Sequence, residues 1–174
     1  MKAILFSVAL LVTLISTSDA QQVKETAVIN HPINIHHLKT EKMENQAINV
    51  VTTFLTAVQQ GNTEKLGTLL HPEVQWEQPG NNRFSGTKKN ITEVFQMVGG
   101  MFEVAANTLA LTNIQVVAVN GNSVACLIHW NAAQPTGKIL NVDNIDVYTV
   151  ENGKITNAKV YSADLNQEDD FWGK

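Results

Sequence analysis

The chain has 174 residues and a formal charge of −4, with an isoelectric point near 5.7. After a leader and an arm are set aside, that length leaves one domain on the usual allowance of roughly 100 to 200 residues. Arg83 is the only arginine and the lysines form no stripe, which excludes nucleic acid as a natural partner. Cys126 is the only cysteine, so no intramolecular disulfide can form. It sits in the apolar run 124–128 without a basic neighbour and reads as a packed thiol rather than a nucleophile. There is no glycine-rich phosphate loop and no cluster of His and carboxylates at ligand spacing, so neither a cofactor nor a metal is expected.

At the start of the chain, Lys2 precedes the apolar run 3–15 and the sequence Ser-Thr-Ser-Asp-Ala. This is the pattern of a signal peptide, residues 1–20, cleaved after Ala20, and it predicts a secreted or periplasmic protein. The run is shorter than the roughly 20 residues of a membrane span, and no cysteine follows it to carry a lipid, so no stable membrane anchor is expected. Residues 21–39 are polar and aperiodic, contain Pro32 and read as a flexible arm. Its histidines, His31, His36 and His37, have no carboxylate or cysteine at ligand spacing. The domain proper is expected at residues 40–174.

Thr40 can cap a first helix in which Ile48, Val51, Leu55 and Val58 recur at helical spacing until Gly61. Asn62 or Thr63 can cap a short second helix through Leu66, Leu69 and Leu70, which His71-Pro72 ends. A third carries Ile91, Val94, Phe95, Val98 and Met101 and closes at Gly99-Gly100. Between the last two lies residues 71–86, a short strand leading into a glycine-punctuated loop. From Thr108 onward β-branched runs take over. Asn120-Gly121 separates residues 114–119 from 124–130, and Asn152-Gly153 separates 145–150 from 155–161. Asn-Gly between such runs is a strong hairpin signal. Helices first and an antiparallel meander afterwards predict an α+β domain with three N-terminal helices packed on the concave face of a curved antiparallel sheet.

Alternation within 74–78 places Trp76 and Gln78 on one face and Gln75 and Glu77 on the other. By the same rule Asn144, Asp146 and Tyr148 share a face opposite Ile145 and Val147. An apolar outer face on a half-exposed sheet predicts a cover, either a second copy in a homodimer or the chain's own N-terminal arm or C-terminal tail. Residues 124–128 are apolar on both faces, so alternation does not decide which way His129 points.

Residues 50–79, through Gly61 and the paired Glu77 and Pro79, resemble the pattern of ketosteroid isomerases without a gap, and Asn144-Ile145-Asp146-Val147-Tyr148 through Gly153-Lys154 matches again. The chain is similar to the SnoaL-like members of the nuclear transport factor 2-like superfamily, and the resemblance implies a cone-shaped fold with a small-molecule pocket. The isomerases use an aspartate before a proline as base, and a tyrosine with a protonated aspartate as hydrogen-bond donors. Here the base position holds Gln78, an amide, and the tyrosine position holds Phe54, while Asp146 keeps the second aspartate. That mechanism is therefore disfavoured.

By the same resemblance, SnoaL-type cyclases rely on an aspartate of this late strand with a histidine nearby, which nominates Asp146 and His129 as a catalytic acid-base pair. Phe54, Trp76, Gln78, Tyr148 and Trp130 are the expected ligand-binding residues, with Met97 or Met101 completing an apolar wall. Glu77 should point away from the pocket. Arg83 lies in the loop after Pro79 rather than on a pocket strand, which argues against the Asp-Arg-Asp arrangement of epoxide hydrolases of this fold. Three readings follow. An isomerase or cyclase acting on a small apolar or polycyclic molecule places Asp146 and His129 face to face across a cavity. A binding module has the cavity without the pair. An interaction unit fills the cavity with its own side chains.

Overall fold

The computed structural model describes residues 35–174, with side chains from residue 37 onward. The expected signal peptide and residues 21–34 of the arm lie outside the described residues. Helix α1 (Ile35–Gln59) begins five residues before Thr40, so the end of the expected arm is helical. No glycine or proline between Ile33 and Thr40 stops the helix from propagating backward. Its buried face carries Ala47, Val50, Val51, Phe54 and Leu55, and it packs across strands of the sheet.

Gly61 ends this turn with φ +63°, and the Asn62 amide donates back to the Ala57 carbonyl at 2.9 Å. Asn62 then caps α2 (Thr63–Leu69), its side-chain oxygen accepting from the Lys65 amide at 3.0 Å. Strand β1 (Leu70–Gln78) and the short β2 (Gly86–Lys88) follow. Asn90 caps α3 (Ile91–Val104), accepting from the Glu93 amide at 2.9 Å, and Glu93 accepts in return from the Lys89 amide at 2.8 Å. The expected stop at Gly99-Gly100 is not observed. A side chain at Gly100 would begin 2.8 Å from the Phe84 ring, so this glycine serves close packing inside the helix rather than its end.

The remaining strands are β3 (Ala110–Asn120), β4 (Ser123–Ala133), β5 (Ile139–Glu151) and β6 (Lys154–Ser162). The β3–β4 turn uses Gly121 at φ +61°, and the β5–β6 turn has positive φ at both Asn152 and Gly153, as a type I′ hairpin requires. Six strands form one sheet in the order β2-β1-β6-β5-β4-β3. The sheet is mixed rather than purely antiparallel, because β1 pairs in parallel with β6. Period-two alternation is identical in both kinds of ladder, so the residues carry no signal for this pairing.

A fourth helix, α4 (Leu165–Trp172), corrects the expectation of three helices. Asp164 caps it by accepting from the Gln167 amide at 2.9 Å. Asp169 Oδ1 accepts from the Asn81 amide at 2.7 Å and from Asn82 Nδ2 at 2.8 Å. A Cβ at Gly80 would meet that oxygen at 2.3 Å, so the loop after β1 approaches α4 as closely as only glycine allows. Arg83 donates to the Lys174 carbonyl at 3.0 Å, and the Trp172 ring meets Phe84 edge-on at 5.5 Å. On the other side Lys138 pairs with Asp170 at 2.8 Å, and Gln167 Oε1 accepts from the Asn141 amide at 2.7 Å.

Candidate functional site

The inner face of the sheet and the helices enclose a cavity of about 380 Å³. Phe54 on α1, Trp76 on β1 and Tyr148 on β5 line it together, with ring centroids 5.8 to 6.2 Å apart in tilted and edge-on contacts. Gln78 is on the same face as Trp76 and accepts from its indole nitrogen at 3.2 Å, so the amide anchors an aromatic wall where a base would otherwise stand. Trp130, Met97 and Met101 also line the cavity.

One end of this apolar space is polar. Asp146 on β5 is 3% exposed, and its Oδ2 accepts a 2.7 Å hydrogen bond from the Tyr148 hydroxyl. Oδ1 of Asp146 has no hydrogen-bond partner among the described residues. Burial raises this carboxyl from 3.8 to about 7, against the Tyr148 hydrogen bond that favours its ionised form, and the nearby Glu168 carboxylate adds to the rise. Burial and the Asp146 charge lift the Tyr148 hydroxyl well above its ordinary range. Cys126 stands directly opposite Asp146 on β4. Burial first and Asp146 second push its thiol up to about 11, which makes it a packed, unreactive side chain.

His129 does not face Asp146, and the expected pairing is corrected here. Cys126 is the residue opposite Asp146 and is three positions from His129, an odd number, so the two side chains project from opposite faces of the sheet. His129 instead sits opposite Asp143, with Nδ1 2.6 Å from Asp143 Oδ1, and its pKa rises chiefly through that hydrogen bond. Its neighbour Trp130, one position on, turns inward to the cavity. Glu77 is likewise on the outer face and pairs with Lys159 at 2.9 Å. Arg83 is outside the cavity lining.

Two lining residues come from a segment that carried no expectation, Glu168 and Trp172 of α4. Glu168 is 2% exposed. Burial raises its carboxyl, opposed by hydrogen bonds with Ser162, Asn144 and Trp172. The readable signal was Asp164 followed three residues later by Gln167, a capping pattern ahead of Phe171 and Trp172. Asn144, on the Asp146 face of β5, completes the polar end.

No curated protein matches the chain significantly. Among solved structures, a protein of unknown function with a cystatin-like fold from Xanthomonas campestris is 35% identical, with a TM-score of 0.70 over 74% of this chain and 98% of that one. An NTF2-like protein from Burkholderia xenovorans is 16% identical, with a TM-score of 0.62 over 75% of this chain and 98% of its own. TerC, co-crystallised with polyporic acid, is 17% identical, with a TM-score of 0.60 over 67% and 91% of the two chains. The profile of the SnoaL-like domain matches residues 51–158. On this fold and this match, the chain belongs to the SnoaL-like domain family of the nuclear transport factor 2-like superfamily.

Proposed function

We propose that the protein is an exported domain that binds a small, largely apolar molecule and can act on it by acid-base chemistry through Asp146, as an isomerase or cyclase does. One observation carries this reading: a buried carboxyl of the cavity lining, raised to about 7, has one oxygen held by Tyr148 and the other without a hydrogen-bond partner among the described residues. A proton-transfer group works best with a pKa near the ambient pH. Tyr148 fixes the carboxyl plane, so Oδ1 is the oxygen that can take a proton from a carbon beside a carbonyl and return it elsewhere on the same molecule. Tyr148 replaces His129 as the partner of Asp146. Phe54, Trp76, Gln78 and Trp130 are proposed to hold the apolar body of the ligand. TerC, which shares only the fold, was co-crystallised with polyporic acid, a small molecule, which is in keeping with a ligand-binding reading of this architecture.

The test is Asp146→Asn, assayed for turnover across a panel of hydroxylated polycyclic compounds and ketones. Asparagine keeps an acceptor for the Tyr148 hydroxyl and cannot exchange a proton, so turnover should fall by about 10² to 10⁴-fold. Unchanged turnover removes Asp146 from the chemistry. Binding of panel members with no turnover by either protein favours the binding-module reading, which the enclosed cavity supports equally. Export follows from residues 1–20 and predicts a mature protein beginning at Gln21, checked by N-terminal sequencing of material from the producing cell. The exposed Ile145 and Tyr161 on the outer sheet face support the homodimer.

A further inference from the structure

The polar end of the cavity is rich in acceptors and poor in charge of the opposite sign. Among the described residues, Asp146 and Glu168 are the only carboxylic acids in its lining, and no lysine, arginine or histidine lines it. Three oxygens there are fully buried without a hydrogen-bond partner among the described residues: Asn144 Oδ1, Asp146 Oδ1 and Glu168 Oε1. Their side chains are 4%, 3% and 2% exposed. They come from two separate elements, β5 and α4, and all three line the same space. The Tyr148 hydroxyl is already given to Asp146, and the hydrogen bonds of Ser162, Asn144 and Trp172 to the Glu168 carboxyl leave its Oε1 unserved.

Buried acceptors without donors carry a desolvation cost, and a buried carboxylate without a cation carries a larger one. A ligand anion would meet like charge in this end of the cavity and find no cation to receive it. A neutral hydroxyl supplies one donor. A protonated amine supplies up to three donors and the missing positive charge, and an aromatic lining of Trp76, Phe54 and Tyr148 suits the ring body that carries it. The net charge of −4 attracts cations at longer range.

We infer that the pocket selects a molecule with an apolar ring body and a protonated amine, the amine being received by Glu168 and Asn144 beside Asp146. This rests on the small-molecule reading above and adds to it the charge of the ligand and a role for Glu168 as the specificity-determining side chain. Reception at Glu168 leaves Asp146 Oδ1 free to face the ring body.

A matched set of three probes tests it: naphthylmethylamine, naphthylmethanol and naphthoate, which share a two-ring body and differ in charge. Calorimetric titration at neutral pH should rank amine, alcohol and carboxylate in that order of affinity. A hydrogen bond to a charged group is worth about tenfold to a hundredfold in affinity, so the amine should exceed the alcohol by that factor. In Glu168→Gln the ratio of amine to alcohol affinity should fall by about tenfold, and alcohol binding itself shows that the cavity still forms. Equal or tighter binding of naphthoate, or an amine-to-alcohol ratio that Glu168→Gln leaves unchanged, overturns the inference while the pocket reading stands. Failure of all three probes to bind overturns both.

Discussion

The two faces of strands β4 and β5 carry similar side chains in unlike surroundings. On the outer face Asp143 and His129 pair at 2.6 Å in contact with solvent. On the inner face, three residues further along β5, Asp146 is buried with a tyrosine for a neighbour and no cation among the described residues of the cavity lining. The outer pair holds complementary charges and has no cavity in front of it. The inner acid has a cavity and lacks a charge partner. The proposed proton transfer rests on that imbalance, and a carboxylate-histidine contact at short distance does not by itself mark a site.

Asp146 should give the largest effect. Its folded pKa of about 7 lies above the ordinary 3.8, so the folded protein keeps a proton that the unfolded chain releases. Stability from this group is therefore complete in acid, falls as pH rises from about 4 to 7, and stays reduced above. Asp146→Asn removes that loss and should raise stability by up to a few kcal/mol at pH 8, the gain shrinking to nothing at pH 4, as read by denaturant unfolding across pH. A wild-type stability that climbs between those limits as steeply as that of Asp146→Asn would show that the carboxyl ionises normally and erase the contrast between the faces.

Next in size is the outer face. Ile145, adjacent to Asp146 and 37% exposed, lies on the face proposed for a homodimer contact. Ile145→Lys buries two like charges there and should weaken association by about a hundredfold, seen as monomer in analytical ultracentrifugation at micromolar concentration. Sedimentation unchanged from wild type would place any contact elsewhere. The smallest effect belongs to His129. Its raised pKa means that the pair stabilises while the ring is protonated, fully below the ordinary 6.5, and loses this as pH rises through the folded value. The pair is open to solvent, so His129→Gln should cost less than about 1 kcal/mol at pH 5.5 and less still at pH 9. A loss of several kcal/mol would mean that the outer pair organises the sheet.

Much of the domain was readable in the residues because its signals are local. Gly61 with Asn62 and the two Asn-Gly turns mark element ends through backbone chemistry that needs no tertiary context. Alternation correctly grouped Trp76 with Gln78, and Asn144 with Asp146 and Tyr148. It failed to direct His129 because residues 124–128 are apolar on both faces, so parity had no polar member to anchor it. Register supplies what the pattern lacked, since Cys126 opposite Asp146 fixes the parity of the whole of β4. The parallel β1–β6 pairing joins strands far apart in sequence and leaves no local mark. Helix α4 was missed because eight mostly polar residues look like a tail, although its buried Glu168, Phe171 and Trp172 face one way once Asp164 starts the turn. Gly100 misled in the opposite direction, since a glycine inside a helix is ambiguous between a stop and a close contact until Phe84 is seen against it.

Cys126 has a practical consequence. It is the only thiol in the chain, it is wholly buried, and its pKa of about 11 leaves almost no thiolate at neutral pH. Alkylating reagents should pass over it while the fold is intact. A cysteine introduced at an exposed position such as Asp170 on α4 would then be the single labelling site, with no need for a cysteine-free background. A fluorophore there would report on the helix that brings Glu168 to the cavity, and the late modification of Cys126 would serve in the same sample as a clock for unfolding.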